Sequence, residues 1–135
     1  MTKIGESKKY GACERTTCEY VSKDIRSVSS AIKFILNAAE LPGFEFFKMA
    51  FDNRKYTSGH FNYIEFGKIK DKNRFADFFD KKSDTIKGTL SLIGEYDEHL
   101  FVLSVSIPLL TIKLTVHTLD EEIIEQLESL FIYGK

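Results

Sequence analysis

The chain has no tryptophan, only two cysteines and two prolines, and no long apolar run. Nothing in it approaches the roughly 20 apolar residues that cross a bilayer as a helix. The opening stretch, MTKIGESKKYGACERTTCEY, holds no apolar segment of signal-peptide length. The expectation is a cytoplasmic chain with no membrane partner, in which Cys13 and Cys18 remain thiols. Those two cysteines could form half of a zinc site, but His60, His99 and His117 lie far away and in no paired spacing. No metal and no cofactor is therefore expected. Charge of one sign is also missing: 19 basic and 20 acidic side chains leave a net charge of −1. That balance removes the electrostatic drive toward nucleic acid or an anionic membrane. There is no phosphate loop, nucleic-acid motif, catalytic signature, internal repeat or low-complexity segment.

What is present is an alternating pattern with twelve phenylalanines around it. Residues 86–117 read IKGTLSLIGEYDEHLFVLSVSIPLLTIKLTVH. Ile86, Leu90 and Leu92 fall on one side of a strand. So do Phe101, Leu103, Val105 and Ile107, and then Leu110, Ile112, Leu114 and Val116, because strand side chains alternate between faces. Lys87, Thr89, Ser91, Ser104, Ser106, Thr111, Lys113, Thr115 and His117 take the other side. The pattern predicts three antiparallel strands with one wet face. Residues 94–98 supply a hairpin loop, and Pro108, lacking an N–H, interrupts the ladder. Leu100 and Val102 fall on the wet side, which a covered patch or a bulge would explain.

The rest of the chain is arranged around this meander. Residues 1–21 read as a polar arm that Tyr10 and Tyr20 could dock, with a short strand around 12–21 as an alternative. Ser22 can cap a helix from Lys23, whose stripe is Ile25, Val28, Ile32, Ile35, Leu36 and Ala39; Pro42-Gly43 ends it. FEFFKMAF at 44–51 and HFNYIEFGKI at 60–69 read as a hairpin, with Gly67 marking a bulge. Phe75, Phe78 and Phe79 fit one face of a short helix within 70–84. Thr118 to Glu121 resembles a capping box, opening a helix with the stripe Ile123, Ile124, Leu127, Leu130 and Phe131. At 135 residues the chain is long enough for one domain with its own core. The predicted fold is α+β, order α-β-β-α-β-β-β-α. It has one five-stranded, mostly antiparallel sheet, two long helices against it, a short middle helix, and a single domain over 22–135. Its edge strand, 44–51 or 110–117, could pair two copies into a homodimer. Over about residues 22–133 the element order resembles that of the profilin-like and roadblock-type small domains, a resemblance that implies an interaction platform.

Three groups of residues are candidates for chemistry. His60, with Asp52 and Glu65 nearby in sequence, has the residue types of a general base and its orienting carboxylate. Alternation, however, puts His60 and Glu65 on opposite faces, and a solvated turn histidine is the simpler reading. Lys87, Ser104, Ser106, Thr111, Lys113, Thr115 and His117 could hold an anionic ligand on the wet face, although such residues are ordinary on a half-exposed sheet. Asp120, Glu121, Glu122, Glu125 and Glu128 on the last helix form an acidic surface that could meet a basic partner, and Glu95, Asp97 and Glu98 in the hairpin loop add a second acidic spot. The lysines around Phe75, Phe78 and Phe79 are interleaved with Asp71, Asp77, Asp80 and Asp84, which argues against nucleic acid. The leading expectation is a non-enzymatic protein-binding module, most specifically an immunity or inhibitor protein that blocks a toxin or enzyme through those acids. The alternative is a binder of an anionic metabolite or nucleotide on the Ser/Thr/Lys face.

Overall fold

The computed structural model describes residues 1–9, 14–54, 63–66, 86–107 and 109–134. Cys13, His60, Gly67, Pro108 and the short phenylalanine helix expected within 70–84 lie outside them.

The meander forms as its alternation requires. Strands β5 (Gly88–Tyr96), β6 (His99–Ile107) and β7 (Thr111–Val116) pair antiparallel in that order. Leu90, Leu92, Phe101, Leu103, Val105, Ile107, Ile112, Leu114 and Val116 are all fully buried on one face. The β5–β6 register runs without a slip from Gly88↔Ile107 to Tyr96↔His99. Leu100 and Val102 therefore sit on the outer face with no bulge on their strand.

The expected five-stranded sheet is corrected to seven strands, all antiparallel, in the order β1-β2-β7-β6-β5-β3-β4. The two additional strands are β1 (Thr2–Lys9) and β2 (Arg15–Val21), from the stretch read as a polar arm. Strand β2 puts Thr16, Cys18 and Tyr20 into the core beside Val116, Leu114 and Ile112 of β7. Strand β1 forms the outer edge. Its register slips between Lys3 and Gly5, and that bulge, with lysines along the strand, blunts the edge against further pairing. Strands β3 (Glu45–Asp52) and β4 (Tyr63–Phe66) form the expected hairpin and close the other side. Neither strand proposed as a dimer edge is one: β3 lies between β5 and β4, and β7 between β2 and β6.

Two helices, α1 (Val28–Ala39) and α2 (Glu121–Phe131), pack on the buried face. Helix α1 begins later than Ser22 suggests. Ser27 is its N-cap and forms a reciprocal capping box with Ser30, which satisfies amide groups that the first turn leaves unpaired. Ser22 only accepts from the Asp24 amide, and Ile25 is buried ahead of the helix. Helix α2 is capped by Asp120, which accepts from the Glu122 amide at 3.0 Å. Thr118 instead accepts from the Asp120 amide. A cluster of rings fastens α2 and the entry to β3 together: Phe44 lies edge-on to Phe101 at 5.5 Å and to Phe131 at 5.2 Å.

Candidate functional site

The β5–β6 hairpin turns through two residues, Asp97 at φ 48° and Glu98 at φ 66°. With Tyr96 opposite His99, both central residues lie in the left-handed region that a type I′ turn demands and that glycine or asparagine fills with least strain. Glutamate is a poor choice there. In the adjoining strands, Glu45 of β3 lies directly opposite Glu95 of β5, and like charges in a cross-strand pair repel. The close approach of β3 at this end depends on Gly94: a Cβ there would come within 2.5 Å of the Glu45 carbonyl oxygen and 3.1 Å of the Phe101 ring.

The result is an open depression of about 550 Å³ lined by Gly43, Phe44, Glu45, Glu95, Asp97 and Glu98. Among the described residues none of these four carboxylates is in an ion pair. Gly43 also lines a second depression, of about 600 Å³, with Leu41, Tyr96, Gln126, Ser129 and Leu130. Its wall is braced by the Tyr96 hydroxyl, which donates to Gln126 Oε1 at 2.7 Å.

Asp120, Glu121 and Glu128 have other duties. Glu121 pairs with Lys8 of β1 at 2.8 Å, and Asp120 is the helix cap. Glu128 is buried, accepts from the Tyr20 hydroxyl at 2.5 Å and lies 3.3 Å from Lys3 Nζ. Burial, reinforced by the bond to Glu128, pushes the Tyr20 hydroxyl well above its ordinary value. Burial opposes the charge on Lys3, but its hydrogen bond to Glu6, with Glu128 alongside, outweighs that and holds the ammonium above its ordinary value. Glu6 is correspondingly held below its own, first by that bond to Lys3. These groups stitch β1 to β2 and α2. Glu122 and Glu125 are exposed and do not line the acidic depression.

Of the seven acids expected to bind a partner, the structure thus places Asp97 and Glu98 in a concave site. Glu95, read with them as a hairpin-loop acid, lines the same site, and the structure adds Glu45, which sequence reasoning did not join to them. Its signal is tertiary: 45 and 95 meet only through the β3–β5 register. Glu128 did carry a local signal. It lies four residues after Ile124 and three before Phe131, at the flank of the buried stripe, where a carboxylate needs a partner.

The Ser/Thr/Lys group shares the outer face of the sheet. Ser104 lies opposite Lys113, and Ser106 opposite Thr111. Thr115 Oγ1 is 3.0 Å from Thr17 Oγ1, the His117 amide donates to the Leu100 carbonyl, and Lys87 is exposed ahead of β5. Glu19 of β2, however, lies directly opposite Lys113. A carboxylate beside the lysine of β7 weakens the attraction this face would have for an anion. Cys18 is a buried free thiol whose pKa burial pushes up, the reverse of what a reactive cysteine needs. Among the described residues no group of three or more His, Cys, Asp or Glu could hold a metal, and no helix is long and apolar enough to cross a membrane.

No family model, curated protein or solved structure matches the chain.

Proposed function

We propose that this chain is a non-enzymatic protein-binding module that seats a basic surface of another protein on the hairpin end of its sheet. It would act as an immunity or inhibitor protein acts, by covering the partner's cationic site. The observation that carries this reading is the set of four acids at that end. Glu45 and Glu95 repel across the β3–β5 pair, and Asp97 and Glu98 hold left-handed backbone. Each arrangement costs the fold stability. Acids kept at such positions, with no lysine or arginine among the described residues pairing with them, serve contacts outside the chain better than contacts within it. Opposite charge on a partner would speed and steer the encounter.

The test is affinity capture with the immobilised protein, followed by titration of the recovered partner against charge-reversed variants. Glu95→Lys and Glu98→Lys together should weaken binding by at least about tenfold, and raising the salt should weaken the native complex. Glu122→Lys with Glu125→Lys, outside the depression, should change it much less. Failure to recover any partner, or equal binding by the Glu95→Lys, Glu98→Lys protein, would overturn the proposal.

A further inference from the structure

The acidic depression does not stand alone. It shares Gly43 with the depression lined by Leu41, Tyr96, Gln126, Ser129 and Leu130. Gly43 sits at φ 104°, and no heavy atom beyond its chain neighbours lies within 4 Å of where its Cβ would be, so the boundary between the two is bare backbone. One side presents carboxylates. The other presents an exposed Leu41, 39% accessible, and the half-buried Tyr96 and Leu130. The apolar depression is of a size that ordinarily receives a ligand or anchoring side chains, about 300–1,000 Å³.

Resting on the protein-binding reading above, we infer that the occupant of this double site is an amphipathic segment of a partner protein. Its large apolar side chains enter the Leu41–Tyr96–Leu130 depression, and its adjacent lysines or arginines reach Glu45, Glu95, Asp97 and Glu98. The commitment to this chemistry follows from complementarity on both counts. An anionic or neutral segment would leave four unpaired carboxylates at its flank. A purely cationic one would leave the apolar wall wet. A basic amphipathic segment satisfies both in one pose, in the helix-in-groove manner. The apolar contact supplies desolvated area and the charges fix the direction in which the segment lies.

The probe is a designed amphipathic leucine-lysine peptide of about 14 residues, long enough for a few helical turns. It is compared by fluorescence anisotropy with an all-lysine peptide of equal charge and with a leucine-glutamine peptide of the same pattern. The leucine-lysine peptide should bind at least about tenfold tighter than either control. Leu41→Ser should weaken it several-fold; because Leu41 is a surface residue, that variant keeps its fold, which an unchanged thermal melt verifies. Leu130→Ser serves as the second groove variant. Equal binding of the all-lysine peptide would overturn this inference while leaving a basic partner for the acidic site. Equal binding of the leucine-glutamine peptide would overturn it from the other side. No binding by any peptide, or binding indifferent to Leu41→Ser, would also overturn it. So would a dimer in sedimentation that Leu41→Ser dissolves, since a second copy would then own the groove. The partner-capture experiment can fail or succeed independently of all these outcomes.

Discussion

Replacing Glu98 by glycine should make the protein more stable and a worse binder at once. Glu98 sits at φ 66° in the two-residue hairpin, where a side chain crowds the following carbonyl at a cost of roughly 1–2 kcal/mol. Glycine removes that crowding but gives the unfolded chain about 0.4–1 kcal/mol of extra conformational freedom. The expected net gain is about 0.5–1 kcal/mol. For 135 residues the unfolding entropy makes each kcal/mol equal to about 3–4 °C, so the melting temperature should rise by about 2–4 °C. Thermal and urea melts followed by circular dichroism measure this, and the two should agree in sign. Loss of one carboxylate from the acidic depression should weaken a basic partner or peptide by a few-fold, about 0.5–1 kcal/mol for a rim charge. Asp97→Asn is the companion variant: asparagine tolerates the left-handed region well, so it removes charge with little change in strain. A melting temperature that falls, or stays within about 1 °C, in Glu98→Gly would refute the claim that the turn is strained at that residue. The argument that its carboxylate is retained for a partner would fall with it.

Two further outcomes test the charged seam between β1, β2 and α2. Tyr20→Phe removes a buried hydroxyl that donates to the Glu128 carboxylate; a charge-assisted bond of this kind contributes about 1.5–3 kcal/mol, so the melt should fall by about 5–10 °C, and a fall under about 2 °C would contradict the assignment. Stability should also decline at both ends of the pH scale, as urea midpoints across pH would show. Tyr20 and Lys3 are both held above their ordinary values of 10.0 and 10.5, so the unfolded chain loses those protons first. Their contribution is whole below about pH 10 and is lost as pH rises through the higher folded values. Tyr20→Phe should flatten that alkaline limb. Glu6 and Asp52 are held below 4.5 and 3.8, Glu6 by its bond to Lys3 and Asp52 by Arg54. Their contribution is present above those values and lost as pH falls through the lower folded ones.

How far the sequence could be read depended on where each residue's partners lie along the chain. In the meander they are close by: β5, β6 and β7 follow one another, and alternation alone separates Leu103 from Ser104. Strand β1 gives no such signal, because its inward positions are Lys3, Glu6 and Lys8, opposite Tyr20, Cys18 and Thr16. A strand whose helix-facing side is a partly exposed ion-pair network looks polar on both faces. Strand β2 carries only Cys18 and Tyr20 as apolar inward residues, too short a run for periodicity to declare. The start of α1 turned on a choice between two serines; Ser27 prevails because Ser30, three residues on, returns the bond. Glu95, Asp97 and Glu98 were visible as loop acids. That Glu45 faces Glu95 was not, since it needs β3, fifty residues earlier, to come in beside β5.

The distribution of neutralising charge separates the two acidic regions more sharply than their composition does. Both hold several carboxylates, and the whole chain is within one charge of neutral. On the β1 side, however, the lysines are spent inward: Lys3 on Glu6 and Glu128, Lys8 on Glu121 and Glu6. These contacts hold an edge strand that has almost no apolar side chains to hold it. At the hairpin end no described lysine or arginine pairs with Glu45, Glu95, Asp97 or Glu98. Among the described residues, the hairpin end therefore gathers four carboxylates without an ion pair in a concave place beside the apolar groove. Potential focused in this way acts over about a Debye length, roughly 8 Å at physiological salt. Steering by that field belongs to the approach of a partner, and the groove belongs to the time it stays. On the proposed reading the two depressions should be separable in kinetics: charge reversal at Glu95 and Glu98 should slow association and flatten its salt dependence, and Leu41→Ser or Leu130→Ser should speed dissociation, as stopped-flow binding would measure.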